Sequence, residues 1–308
     1  GNGFSGDGKL IFKGQGITQK ILGNAISFKG DLEVRSGSTL QTNDSLSLIA
    51  ESDSVFGQLL LGGILDGNVE IQTWLSLDTN ASNGRYFHLG SPIVGAKIED
   101  FNSGGIQQTG QINMAQNSIW EWAANQAIWV SPNSLQDEVS PGKGMAFYAG
   151  KNSFGNFLTN TGEAKALAFT GDSLLNSDCI LSLEYHSGQG VGSDFSGSGS
   201  LAETRGWNMI SNPYACHYNW DSLVNNGLPS GIGNAIYTWN GESFSVYTAG
   251  GVGINGGSAM IPPFQAFFVQ NSSGSTQSLT LKKEFRELGS NVGLFKKAPI
   301  LDGVKVRV

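Results

Sequence analysis

Cysteine, histidine and charge are all scarce in this chain. It has two Cys and three His in 308 residues, and only 14% of its residues are charged. Cys179 and Cys216, with only His88, His186 and His217 beside them, do not make the paired ligand spacings of a zinc site. The two thiols permit a disulfide in an oxidising compartment, and each could equally be buried as a small apolar residue. The net charge of −7 argues against a nucleic-acid footprint, which needs clustered Lys and Arg. The one basic stretch, from Lys282 to Arg307, is interrupted by Glu284, Glu287 and Asp302 and reads as a solvated strand edge or linker.

No segment reaches the ~18 apolar residues of a membrane-spanning helix. No signal peptide is visible, the chain opens on Gly1, and it ends inside the alternating run Val304-Lys305-Val306-Arg307-Val308. These features are expected of a piece of a longer, processed protein. Helix is nearly missing as well. Only residues 96–101 and 221–226 have the pattern of a short helical turn.

What the chain has in abundance is glycine, 44 residues of it, with Ser, Asn and Thr between short apolar runs. That composition predicts an all-β protein with many turns. The stronger signal is repetition. Tyr86-Phe87-His88-Leu89-Gly90-Ser91-Pro92 is echoed by Trp207-Asn208-Met209-Ile210-Ser211-Asn212-Pro213. Ile119-Trp120-Glu121-Trp122 is echoed by Ile236-Tyr237-Thr238-Trp239. Pro141-Gly142-Lys143-Gly144-Met145-Ala146-Phe147 is echoed by Pro262-Pro263-Phe264-Gln265-Ala266-Phe267-Phe268. Three echoes in one order mean a duplicated module. The first and third echoes lie about 121 residues apart. Alternating apolar and polar residues give each sheet a buried and a solvated face, and two such sheets face to face predict a β-sandwich of jelly-roll or immunoglobulin-like type.

Residues 1–75 have another texture. Leu10-Ile11-Phe12, Leu32-Glu33-Val34, Leu46-Ser47-Leu48, Leu59-Leu60-Leu61 and Val69-Glu70-Ile71 are apolar runs set off by Gly, Asn, Asp or Ser. Stacked short strands with tight corners produce this pattern, so a β-solenoid-like region is favoured over a plain sandwich. The expected domains are therefore residues 1–75, a first sandwich module over 76–172, a second over 173–290, and a further strand or linker over 291–308. A mobile low-complexity loop is expected at 187–200.

Few residues remain to carry chemistry. Cys216, His217 and Asp221 lie close in sequence, but neighbours in a strand point to opposite faces, and no catalytic residue is assigned. Glu99-Asp100 and Asp137-Glu138 are paired carboxylates in loops, short of the facing arrangement that glycoside hydrolysis needs. Asp78-x-Asn80-x-Ser82 offers oxygen ligands at alternating positions and is the candidate for Ca2+, the one cofactor considered, although Gly84 falls one place late for an EF-hand loop. Sugars stack on exposed aromatic rings. Trp129, Tyr148, Trp220 and Tyr247 are the rings least firmly tied to a core, and they are the carbohydrate-binding candidates.

Several phrases carry a resemblance. Gly206-Trp207-Asn208-Met209-Ile210-Ser211-Asn212-Pro213-Tyr214 and Ile261-Pro262-Pro263-Phe264-Gln265-Ala266-Phe267-Phe268-Val269 resemble the recurrent phrases GWNLIGNPY and IxPxQ(G/A)FFV of large secreted or cell-surface β proteins of Bacteroidetes bacteria. Residues 85–94 resemble a divergent first copy. The likeness covers roughly residues 68–290 and implies an extracellular or cell-surface location, further domains of the same polypeptide and no particular activity. It also implies O-glycosylation at Asp-Ser followed by an apolar residue, a pattern matched at Ser45, Ser54, Ser173 and Ser222.

Three functions are weighed. The first is a non-catalytic extracellular adhesion or spacer segment, which displays loops 102–118, 187–204 and 248–259 to a glycan or a host or cell-surface protein. The second is a carbohydrate-binding accessory module of a polysaccharide-degrading enzyme. The third is a polysaccharide lyase or hydrolase of solenoid type.

Overall fold

The computed structural model describes residues 5–6, 8–21, 25–75, 85–105, 119–149, 165–185 and 206–289. The protein is all-β, with one short α-helix among the described residues. No helix there is long and apolar enough to cross a membrane.

The N-terminal region climbs in rungs. Strands β1 (Ser5–Gly6), β2 (Lys9–Phe12) and β3 (Ile17–Lys20) make the first, and β4 (Ile26–Phe28), β5 (Asp31–Val34) and β6 (Ser38–Gln41) the second. Strands β7 (Leu46–Leu48), β8 (Gln58–Leu61) and β9 (Ile64–Asp66) make the third, and β10 (Val69–Leu75) begins the next. All pairing between rungs is parallel and in register: β2-β5-β8, β3-β6-β9 and β1-β4-β7-β10. Register places like on like, so Leu32 lies on Leu59, Val34 on Leu61, and Leu46 on Val69. All six are buried, and each contributes roughly 1.5–3 kcal/mol by area.

Polar corners separate the sides. Asn43 and Asp44 take left-handed φ of 49° and 56°, a region that Asn and Asp tolerate better than most residues. Their side chains bind neighbouring rungs: Asn43 Nδ2 donates to Ile21 O at 2.5 Å, and Asp44 Oδ1 accepts from Asn68 N at 2.6 Å.

Strand β10 ends at the boundary expected at 75/76 and joins the two regions by its pairing. One edge pairs in parallel with β7, and the other pairs antiparallel with β15 (Lys165–Gly171) along seven residues. The last strand of the coil is thus also the first strand of the first module. Coil and first module accordingly share one core, in which Leu48, Ile71, Phe87, Phe147 and Phe169 belong to a single cluster.

Beyond the coil lie two four-stranded sheets. The first joins β11 (Arg85–Leu89), β12 (Ile119–Ala123), β13 (Ile128–Val130) and β14 (Met145–Ala149) in the order β11-β14-β12-β13. Next come β16 (Cys179–Leu183), β17 (Trp207–Ser211), β18 (His217–Asn219), β19 (Ala235–Trp239) and β20 (Phe244–Thr248). The chain continues through β21 (Met260–Ile261), β22 (Ala266–Gln270), β23 (Gln277–Leu281) and β24 (Arg286–Glu287). The second sheet runs β17-β22-β19-β20, the same order as the first. The antiparallel pair β10-β15 beside the first sheet has its counterpart in β16-β23 beside the second. The helical turns also correspond: a 3-10 helix at Ile98–Gly105 and α1 at Trp220–Asn226, capped by Asn219 Oδ1 on Ser222 N.

One echo is displaced from its sequence reading. Leu89 pairs with Met145 and Ile210 with Phe267, so Met145 corresponds to Phe267, 122 residues on, rather than to Ala266. A one-residue slip moves every side chain to the other face. Here it puts Phe267 and Val269 into the second core, beside Ile210 and Ile236, and turns Phe268 outward.

Candidate functional site

The outward faces of the two four-stranded sheets meet, and the carbohydrate candidate Trp129 lies at that junction. Met209, Ala266 and Phe268 are its buried centre, with Trp122, Trp129, Trp207, Tyr237 and Phe244 packed around them. The contacts are reciprocal. Leu89 bridges Gln265, and its counterpart Ile210 bridges Lys143, the counterpart of Gln265. Gly90 N donates to Phe264 O and Ser211 N to Gly142 O, both at 2.8 Å. Trp122 Nε1 donates to Trp207 O at 2.7 Å, and Trp239 Nε1 donates to Tyr86 O at 3.1 Å. Residue i touching j while the counterpart of j touches the counterpart of i is the signature of an approximate two-fold axis. The aromatic-led phrases are therefore building material for the joint between the modules as well as for their cores.

The two copies have specialised where they meet. Gly90 faces Ser211, and a Cβ at Gly144 would come within 2.6 Å of Met209. The corresponding positions pair a small residue in the first module with a larger one in the second: Gly90 with Ser211, Gly144 with Ala266, Ala146 with Phe268. The turn ahead of β14 and β22 shows the same division. Gly142 and Phe264 both hold left-handed φ, 85° and 65°. Gly142 lies against Leu181 and Cys179 of the second module, while the Phe264 ring enters the first core, 5.3 Å from Phe169.

The other sugar candidates do not form an open platform. Trp220 is 0% exposed, stacks edge-on against Phe267 at 5.8 Å and donates from Nε1 to Asn234 O at 2.9 Å. Tyr247 is buried, and its hydroxyl donates to Asp221 Oδ2 at 2.7 Å. Neither ring is exposed as a stacking surface would need. Trp220 caps the second core as the first residue of α1, and Tyr247 faces that helix across the core, a placement that strand alternation alone cannot show. Trp129 is half-buried, edge-on to Trp122 at 5.2 Å. Tyr148 is half-buried on the edge strand pair and meets Tyr86 edge-to-face at 5.1 Å. Tyr86, 41% exposed, is not among the four rings that the sequence offered as candidates. Its place opposite Tyr148 across β11-β14, unlike the core pair Phe87 and Phe147, was the available signal.

The nucleophile candidates are dispersed among structural partners. His217 is fully buried, with Nδ1 2.6 Å from Gln58 Oε1 and its amide on the same oxygen. Cys216 O accepts from Asn212 Nδ2, and Asp221 accepts from Tyr247 and from Gly250 N. Both cysteines are free and buried. Burial pushes the Cys179 thiol up to about 11 and the Cys216 thiol up to about 12, so neither is a thiolate near neutral pH. His88 is buried among Trp129, Trp239, Phe244 and Phe268, its Nδ1 without a partner, and burial lowers it to about 3.

Three of the four paired loop carboxylates are engaged as well, and the fourth, Glu138, is exposed. Asp100 Oδ2 accepts from Lys97 N, Asp137 Oδ2 closes the turn at Asn133 and Ser134, and Glu99 takes the Gln136 amide. Along the coil Asp31 holds Gln58, Glu33 holds Lys9 and Arg35, Glu51 holds Lys29, and Asp66 holds Gln41. Among the described residues no group of three His, Cys, Asp or Glu is placed to hold a metal. The Ca2+ candidates Asp78, Asn80 and Ser82 lie outside the described residues, as do loop residues 106–118 and 187–204. Loop 248–259 is described. Its tip shows Val252 at 92% exposure and Ile254 at 62%.

No family model, no curated protein and no solved structure matches this chain.

Proposed function

We propose that the chain is a non-catalytic adhesion or spacer segment of an extracellular or cell-surface protein. The observation that supports this reading most is the use made of its reactive groups. Within the described residues, most of the catalytic candidates weighed from the sequence are occupied by structural partners. His217 joins the second module to Gln58 of the coil, Asp221 ties α1 to Tyr247, and the two thiols are buried. A body fused by shared strands and a reciprocal aromatic joint suits display, in which rigid elements carry loops such as 248–259 to a partner. The phrases around Trp207 and Phe267 favour a surface protein of the Bacteroidetes type.

The test is twofold. The purified chain should show no turnover on a panel of polysaccharides and peptides, and antibodies to it should label intact producing cells. Hydrolysis or lyase activity that survives repurification, or labelling only after lysis, overturns the proposal.

A second reading, glycan binding, draws on one observation: Tyr86 is 41% exposed beside Tyr148. Retention on a glycan array, lost in Tyr86→Ala and kept in Tyr247→Phe, would favour it.

A further inference from the structure

The coil is covered along β8 and β10 at one end, where β9 pairs on one edge only among the described residues, and lacks a covering layer at the other. At the far end β10 is covered by β15, while Leu59 N donates to Ala215 O and Gln58 binds His217. At the near end β1, β2 and β3 each pair on one edge only among the described residues. The column that runs through the β2 ladder shows the consequence. Leu59 and Leu32 are each 1% exposed, and Leu10, the next member, is 37% exposed. Ile17, at 52%, stands over buried Ser38. An interior column that ends in exposed leucine and isoleucine lacks a layer, and free strand edges with apolar flanks are ready to pair.

We propose that the rung β1-β2-β3 is a docking face for a further polypeptide coil, whose strands run parallel to these three and continue all three ladders. Two features choose this occupant. The first is direction. A second copy of this chain cannot continue all three ladders head-to-tail, because β8 and β10 at its far end are already covered by its own modules. Head-to-head stacking would turn the new pairs antiparallel and break the register that every rung here keeps. The second is charge. The open rung carries Lys9, Lys13 and Lys20, all exposed. Below it, the second rung presents Asp31 opposite Lys9 and a Glu33 carboxylate 3.1 Å from Lys9 Nζ. An incoming rung with acidic residues on its outer face would repeat that pairing from above.

Grafting tests this on the whole chain. In one variant a copy of residues 26–45, the acidic second rung with its corner, is joined directly ahead of Phe4, since Phe4 precedes β1 as Ile26 precedes Ser27. A second variant carries the same graft with Asp31 and Glu33 of the copy changed to Lys. Hydrogen exchange is read at Leu10, Ile11, Phe12, Thr18 and Gln19 of the original rung.

The acidic graft should slow exchange there at least about tenfold and raise the thermal midpoint, and the lysine graft should do less of both. Unchanged exchange at the original rung, or equal effects of the two grafts, overturns the proposal. Sedimentation of the unmodified chain is the independent measurement should the grafted chain not fold. A concentration-dependent dimer that protects β2 would make a second copy the occupant and overturn the proposal, and a monomer that keeps β2 exchanging freely supports it.

Discussion

His88 stands where the second module has Met209, in the middle of an aromatic joint, and it stays neutral there. Its ordinary value near 6.5 falls to about 3 because burial penalises the charged ring. The unfolded chain therefore binds a proton between those values that the folded chain does not. Stability present above about pH 6.5 is lost as pH falls toward 3, with a slope of up to about 1.4 kcal/mol per pH unit from this residue. His88→Met, which borrows its counterpart, should keep the fold and flatten the acid limb of denaturant midpoints against pH by that amount. An unchanged limb would remove His88 from the account. The cysteines make a second residue-scale prediction. With both thiols buried and held protonated, a thiol reagent should leave the native protein unmodified at neutral pH and react with two groups after denaturation, as counted by absorbance. Only the latter half of this behaviour was legible in the sequence, because the number of thiols is written there and their burial is not.

At the scale of elements, the reciprocal joint gives a quantitative expectation. Trp122 and Trp239 each donate one indole hydrogen bond to the backbone of the opposite module. Trp122→Phe and Trp239→Phe should each cost about 0.5–1.5 kcal/mol for the hydrogen bond, plus the lost ring area. The two sites share the cluster around Phe268, so the double variant should depart from additivity, and chemical denaturation of the four proteins measures it. Repetition of strands was readable in the sequence because aromatic-led runs are conspicuous. The register of β14 and β22 was not: a duplicated Phe-Phe offers two alignments one residue apart, and only pairing with Leu89 and Ile210 chooses between them. Likewise Trp220 and Tyr247 looked available for sugar because strand alternation says which face a ring is on and nothing about what covers that face.

At the scale of the whole molecule, the coil and the two modules should unfold together. The shared strand β10 and the core that includes both Leu48 and Phe264 leave no seam at residue 75. Calorimetry should show one transition rather than two, with calorimetric and van't Hoff enthalpies in agreement. Gln58→Leu tests the coupling at a single point. The amide holds Asp31 on one side and His217 on the other, and its loss leaves the His217 amide and ring buried without that acceptor. The expected cost is about 1–3 kcal/mol in urea denaturation, and a change within error would mean that the contact contributes nothing to the joint.

The all-β class was determined by the sequence, because glycine-bounded alternation and short apolar runs are local properties of the chain. The pairing of the two modules by their outer faces, the strand shared between coil and module, and the burial of Cys179, Cys216, His217, Trp220 and Tyr247 were decided only by tertiary structure. These depend on which face meets which, and a period-two pattern carries two faces without naming the partner of either.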